Sequence, residues 1–226
     1  MVATPGLALS RWVGVVTAGE AVGFMFPVAA LAASSWFIDD PWLRWLLVIV
    51  AGGLEGASLG FAQSMVLRSS PLRVPVRGWT LATGVAASSA WSIGMLPSTL
   101  NDSGHAVDFG RPLVWAGTIL GALILLLSIP VAQWIVLRRV LRRAWRWIPV
   151  NVAAWTVGLT FTLLPGPFVD EQTAAGVMVV AFVVGGICMA ATVATCTGLW
   201  LRRELGQELR IESKKRVSLR ESGLNA

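Results

Sequence analysis

Two acidic residues, Glu20 and Glu55, stand inside otherwise apolar stretches, and their placement sets what chemistry this chain could support. Glu20 lies nine residues beyond Arg11, and Glu55 lies thirteen residues before Arg68. At about 1.5 Å per helical residue these are depths of roughly 13 Å and 20 Å from the basic ends of two neighbouring helices. A carboxylate at that depth is costly against lipid, so it faces the interior of a bundle and marks an ion, proton or ligand path. The structural alternative is two carboxyls, each satisfied by a backbone carbonyl or a serine.

Gln63 and Gln133 form a second polar set. Each lies five residues inside a terminal arginine, Arg68 and Arg138, and Thr197 holds the same position before Arg202. Their recurrence predicts a polar layer near the basic side, one side chain from each of three hairpins. Ordinary interhelical hydrogen bonding, worth about 0.6 kcal/mol on average, accounts for such a layer equally well.

Other reactive groups are scarce. His105, between Asp102 and Asp108 in a polar loop, is one histidine with two carboxylates, too few ligands of the right kind to assign a metal. Ser88, Ser89 and Ser92 have no histidine or lysine base in their span, and the GxSxG and HExxH patterns are absent. The sequence therefore assigns no catalytic residue and does not point to an enzyme. Both lysines, Lys214 and Lys215, lie in the tail, which excludes a Schiff-base cofactor inside the membrane, and no cofactor is implied. Cys188 and Cys196 are eight residues apart on one helix, about 12 Å, too far for a disulfide.

Composition says which environment must hold these residues. Of 226 residues 55% are hydrophobic and 13% charged, with mean hydropathy +0.70. Soluble domains carry about a quarter charged residues, so this is a membrane protein. The net charge of +6 does not imply nucleic acid, because the arginines cluster at helix ends and no nucleic-acid motif accompanies them.

Six apolar stretches are long enough to span, at about 12–37, 42–67, 78–97, 112–137, 147–164 and 173–201. In lipid the backbone must satisfy its own hydrogen bonds, so all are helices. Ala30-Leu31-Ala32 imitates a signal-peptide cleavage site, but Glu20 falls in what would be the apolar region, and the segment is read as a retained span. The odd-numbered helices begin with arginine and tryptophan (Arg11-Trp12, Arg77-Gly78-Trp79, Arg146-Trp147) and carry Pro27, Pro97 and Pro165 toward their far ends. The even-numbered helices end at Arg68, Arg138 and Arg202. The predicted fold is an all-α membrane protein of three pseudo-repeated hairpins (about 11–68, 77–138 and 146–202), with a domain at 1–201 and a charged cytoplasmic tail at 202–226.

Aligned on the arginines, Glu20 corresponds to Ala86 and Trp155, and Glu55 to Leu125 and Met189. Neither acid is required by the hairpin frame. Gly52, Gly56, Gly60 and Ser64 make a small-residue ridge matched in register by Gly186, Ala190, Ala194 and Gly198. Such ridges let backbones approach, so helices two and six are expected to make the tight crossings. Pro130 is expected to kink helix four.

Arg11, three residues of the first basic connection, five of the second and seven of the tail place sixteen of the eighteen basic residues on one side. The opposite loops carry Asp39, Asp40, Asp102, Asp108, Asp170 and Glu171. The positive-inside rule puts both termini in the cytoplasm, and tryptophans such as 12, 36, 42, 79, 115, 145, 147 and 200 fall near the expected interfaces. The tail is expected to continue helix six for a few turns and then fray.

The ends QSMVLR (Gln63 to Arg68) and QWIVLRR (Gln133 to Arg139) resemble those of a group of small bacterial multi-pass membrane proteins whose helices end repeatedly in Gln-Trp-x-Val-Leu-Arg. The third copy departs from that pattern, with Thr197 for the glutamine and Trp200 for the valine. The resemblance implies a bacterial plasma membrane and carries no activity.

Two readings follow. One is a small transporter or channel-like protein with a polar cavity around Glu20 and Glu55, taking a small ligand or ion. The other is a non-catalytic scaffold, sensor or accessory subunit that binds a protein partner through its helix faces and basic tail. A cavity shared by the two acids favours the first; a dry, packed first hairpin favours the second.

Overall fold

The computed structural model describes residues 7–105, 107–164, 166 and 174–221. Pro165, Asp170, Glu171 and Thr173, which enter the repeat and topology argument, lie outside the described residues. Within them the chain is entirely helical: α1 (Leu9–Phe37), α2 (Pro41–Arg68), α3 (Val76–Asp102), α4 (Pro112–Leu137), α5 (Trp147–Leu163) and α6 (Ala175–Glu221), with a 3-10 turn at Ala144–Arg146 before α5.

Helix boundaries follow local chemistry. Asp40 caps α2 by accepting from the Leu43 amide at 2.7 Å, and Pro41 occupies the first turn, where its missing N–H costs nothing. Pro27, Pro97 and Pro130 all lie within helices. Helix α3 therefore continues past Pro97 to Asp102, five residues beyond the predicted end. Helix α6 does not fray after a few turns: it runs unbroken for 47 residues, twenty of them past Leu201.

Four helices are long and apolar enough to cross a membrane: α1, α2, α4 and the Gly176–Lys215 portion of α6. The other two fall short for separate reasons. Helix α3 is diluted by hydroxyls such as Thr83, Ser88, Ser89 and Ser92, and α5 has only 17 residues, about 26 Å. The outward faces are strongly apolar, with Val22, Leu81, Ile119, Val157 and Val183 all exposed, whereas Glu20, Gln63, Thr83, Gln133, Asn151 and Thr197 are buried. That is the reverse of a soluble bundle and suits a lipid solvent. The protein is a helical membrane protein.

Each helix packs on its neighbours in sequence, and α6 packs back on α1, so the six form a closed ring. The most extensive contact is α2 with α3, followed by α1 with α2. Among the described residues helices α2 and α6 make no extensive contact across the ring, and their small-residue ridges have separate partners. On α2 the ridge faces α3: a Cβ at Gly52 would overlap the Trp91 indole, and one at Gly60 would stand 2.9 Å from Thr83 Oγ1. On α6, Ala190 and Ala194 are buried and Gly198 lies under Trp12, but Gly186 faces open space; the close approach there is made by Gly185, on the Phe161 carbonyl.

One ion pair fastens the basic end. Arg146 meets Glu204 at 3.3 Å, with Glu204 nearly fully buried, which joins the turn before α5 to the extension of α6. Removing the arginine strands that carboxylate. Arg146→Ala is expected to lower stability by about 1 kcal/mol, since the guanidinium is partly exposed and screened. Urea or thermal unfolding in detergent, run against a Glu204→Gln, Arg146→Ala double variant, isolates the pairing contribution.

Candidate functional site

The polar layer expected from Gln63, Gln133 and Thr197 exists, and its partners are tryptophans. Trp12, Trp79 and Trp147, each in the first turn of α1, α3 or α5, are 0% exposed. The Trp79 indole N–H donates to Gln63 Oε1 at 2.9 Å, and that of Trp147 donates to Gln133 Oε1 at 3.0 Å. Trp12 donates to the Ala194 carbonyl at 2.9 Å and to Thr197 Oγ1 at 3.3 Å. Gln133 Nε2 donates in turn to Gln63 Oε1 at 2.8 Å and to Thr83 Oγ1 at 3.0 Å. These three tryptophans, expected near the membrane interfaces, face the bundle interior as buried donors with named acceptors. Trp36, Trp42, Trp115 and Trp145 are the exposed ones.

Beneath this layer, toward the basic end, the side chains close into one apolar cluster. Leu67, Leu137 and Leu201, one before each terminal arginine pair or single arginine, are fully buried with the three tryptophans, and Leu72, Leu141 and Leu205 complete the seal.

Above it, the centre of the ring is hollow. A cavity of about 380 Å³ is lined by all six helices, and one layer of it reads Glu20 (α1), Glu55 (α2), Ala87 (α3), Leu125 (α4), Trp155 (α5) and Met189 (α6). Each lies eight positions from the polar layer: after Trp12, Trp79 and Trp147 on the odd helices, before Gln63, Gln133 and Thr197 on the even ones. Eight residues is about 12 Å. Anchoring on the buried tryptophans moves the second-hairpin equivalent of Glu20 from Ala86 to Ala87, because Gly78 intervenes between Arg77 and Trp79.

Local packing presents the two acids to this space. Gly19 and Gly23 bracket Glu20, and the α2 backbone lies directly on Gly23, where an added Cβ would stand 2.9 Å from the Glu55 carbonyl oxygen. Ser58 fixes the same crossing by donating to the Gly19 carbonyl at 2.9 Å. Glu55 is 8% exposed and accepts a hydrogen bond from the Trp91 indole N–H; the bare Gly52 one turn away leaves room for that ring. Glu20 is 4% exposed, and its Oε2 is buried without a hydrogen-bond partner.

Among the described residues no basic side chain lines the cavity. The ion pairs among the described residues, Arg111 with Asp108 and Arg146 with Glu204, lie elsewhere. The first of these occupies Asp108, and His105 Nδ1 lies 3.3 Å from Ser103 Oγ, so the outer loop does not gather a metal-binding set among the described residues. The cavity's aromatic lining is Phe24, Trp91 and Trp155. The sequence signals only the last of these, through the alignment of Trp155 with Glu20. No protein family, curated protein or solved structure matches the chain.

Proposed function

We propose that the protein is a small transporter or permease-like membrane protein that binds its solute in the central cavity. One observation carries this reading: Glu20 and Glu55, on adjacent helices, line a single cavity, and Glu20 presents a buried oxygen with no partner. A purely structural pair of carboxyls would have been satisfied by neighbouring groups.

In this reading all six helices span. Helices α3 and α5 each sit in the closed ring between two spanning neighbours, which supports the same depth for them. The three buried tryptophans with their acceptors support a threefold hairpin repeat, and both glutamines accept through Oε1 from the tryptophan near the start of the next helix. The basic end, sealed by the leucine and tryptophan cluster, faces the cytoplasm with both termini, in a bacterial plasma membrane, and the acidic tips face outward. The cavity then reaches from mid-membrane toward the outer side, as far as Met95 and Thr162.

The test is reconstitution into liposomes loaded with a pH-sensitive dye and challenged with inorganic cations, organic cations, amino acids and sugars. At least one class is expected to elicit a protein-dependent pH change that Glu20→Gln and Glu55→Gln each abolish. A signal undiminished in both single variants and in the double variant, or none from any class, counts against transport. The scaffold reading has its own support in the helical extension of α6 beyond Leu201. It predicts co-purification with a specific protein, lost when residues 210–226 are removed.

A further inference from the structure

We infer that the central cavity takes an organic cation carrying an apolar or aromatic body; this deepens the transport reading and rests on the same site. The argument is one of matching. Two carboxyls line the space and no basic side chain does, so an anion meets only repulsion there. Sugars and zwitterions need several hydrogen-bonding partners, and beyond the two carboxyls the described wall offers few side-chain groups: the Trp155 indole N–H, the Trp91 indole N–H that is already given to Glu55, and the Thr162 hydroxyl, which already donates to the Leu159 carbonyl at 2.8 Å. A bare inorganic cation fares no better, because it needs about six oxygen ligands to replace its water, and apart from the two carboxyls and Thr162 the described wall is glycine, aliphatic, methionine and aromatic side chains.

An organic cation suits every surface present. Its charge is met by Glu20, whose Oε2 has no other partner, and by Glu55, held in position by Trp91. Its body is met by Phe24, Trp155, Met95 and Met189, soft and polarisable groups that attract a cation through ring faces and pack irregular shapes. The volume of about 380 Å³ falls in the range of ordinary small-molecule sites. Trp91 is a positioning residue: its indole N–H orients the Glu55 carboxyl while its ring forms wall.

Benzyltrimethylammonium and its uncharged carbon isostere, neopentylbenzene, separate charge from shape. Binding to the full-length protein in detergent is read by calorimetry and tryptophan fluorescence, with tetramethylammonium and benzenesulfonate as further probes. Benzyltrimethylammonium is expected to bind best. Glu20→Gln and Glu55→Gln are each expected to weaken it about tenfold or more, an energy of about 1.4 kcal/mol, while leaving the isostere unchanged. Trp91→Phe keeps the ring but removes the hydrogen bond, and is expected to weaken the cation more than the isostere. Equal binding of cation and isostere, or cation binding indifferent to the double glutamine variant, overturns the inference. Liposome flux separates this from the broader reading. Glutamate-dependent flux of protons or inorganic ions without organic-cation binding defeats the inference and leaves transport standing. Glutamate-dependent binding of the organic cation without flux upholds the site and defeats transport.

Discussion

Gln133→Leu is expected to destabilise the folded protein by about 2–4 kcal/mol, whereas Thr197→Ala, at the equivalent position, is expected to change it by less than about 0.5 kcal/mol. The difference lies in what each side chain satisfies. Gln133 is fully buried, accepts from Trp147 and donates to both Gln63 and Thr83. Leucine fills the volume but leaves the Trp147 indole N–H buried without an acceptor, which costs about 1–3 kcal/mol by itself. Thr197 carries no such duty. Its hydroxyl already donates to its own helix at the Val193 carbonyl, 2.7 Å away, and Trp12 keeps the shorter bond to the Ala194 carbonyl when the hydroxyl is gone. Unfolding by SDS or heat in mild detergent, followed by circular dichroism, gives both values. Equal losses at the two positions would mean that the layer acts through packing and not through its hydrogen bonds.

Gly56→Ala is expected to cost about 1–3 kcal/mol, and Gly186→Ala to be neutral or stabilising by up to about 1 kcal/mol, although both glycines belong to the small-residue ridges of their helices. A Cβ on Gly56 would overlap the Ala87 methyl and stand 2.8 Å from the Thr83 carbonyl oxygen, so α2 and α3 must separate. Nothing lies within 4 Å of a Cβ on Gly186, and there alanine simply lowers the entropy cost of helix formation. Because Gly56 and Ala87 both line the cavity, the first substitution also reshapes the space beside Glu55. Its effect on cation binding is expected to exceed its effect on stability, and a thermal shift with and without benzyltrimethylammonium reads both.

These contrasts mark what the chain discloses by itself. Glu20 and Glu55 are legible because a carboxylate in an apolar run is anomalous whatever surrounds it. Gln63 and Gln133 are legible because they recur at a fixed distance from arginine. The tryptophans are visible but their orientation is not: near a helix end, a lipid-facing ring and a buried donor have the same sequence address, and only the partner distinguishes them. The ridge on α6 packs closely at Ala190, Ala194 and Gly198 but not at Gly186. Small residues permit a close approach, yet the helix that arrives is chosen by the ring as a whole, and at Gly186 none arrives. Phe24, Trp91 and Trp155 could not be separated from lipid-facing aromatics, since both faces of these helices are apolar and no periodicity tells inside from outside.

The closed ring also has a history in time. Trp12 finds its acceptors on α6, 182 residues later for the Ala194 carbonyl, while Trp79 and Trp147 find theirs only 16 and 14 residues upstream. During synthesis the α2–α3 and α4–α5 pairs can therefore form as soon as each second helix is made, but α1 must wait in lipid with an unanswered indole N–H until the last helix arrives. Assembly should have a late, slow closing step of high contact order. The cavity and its two acids exist as a site only after that step.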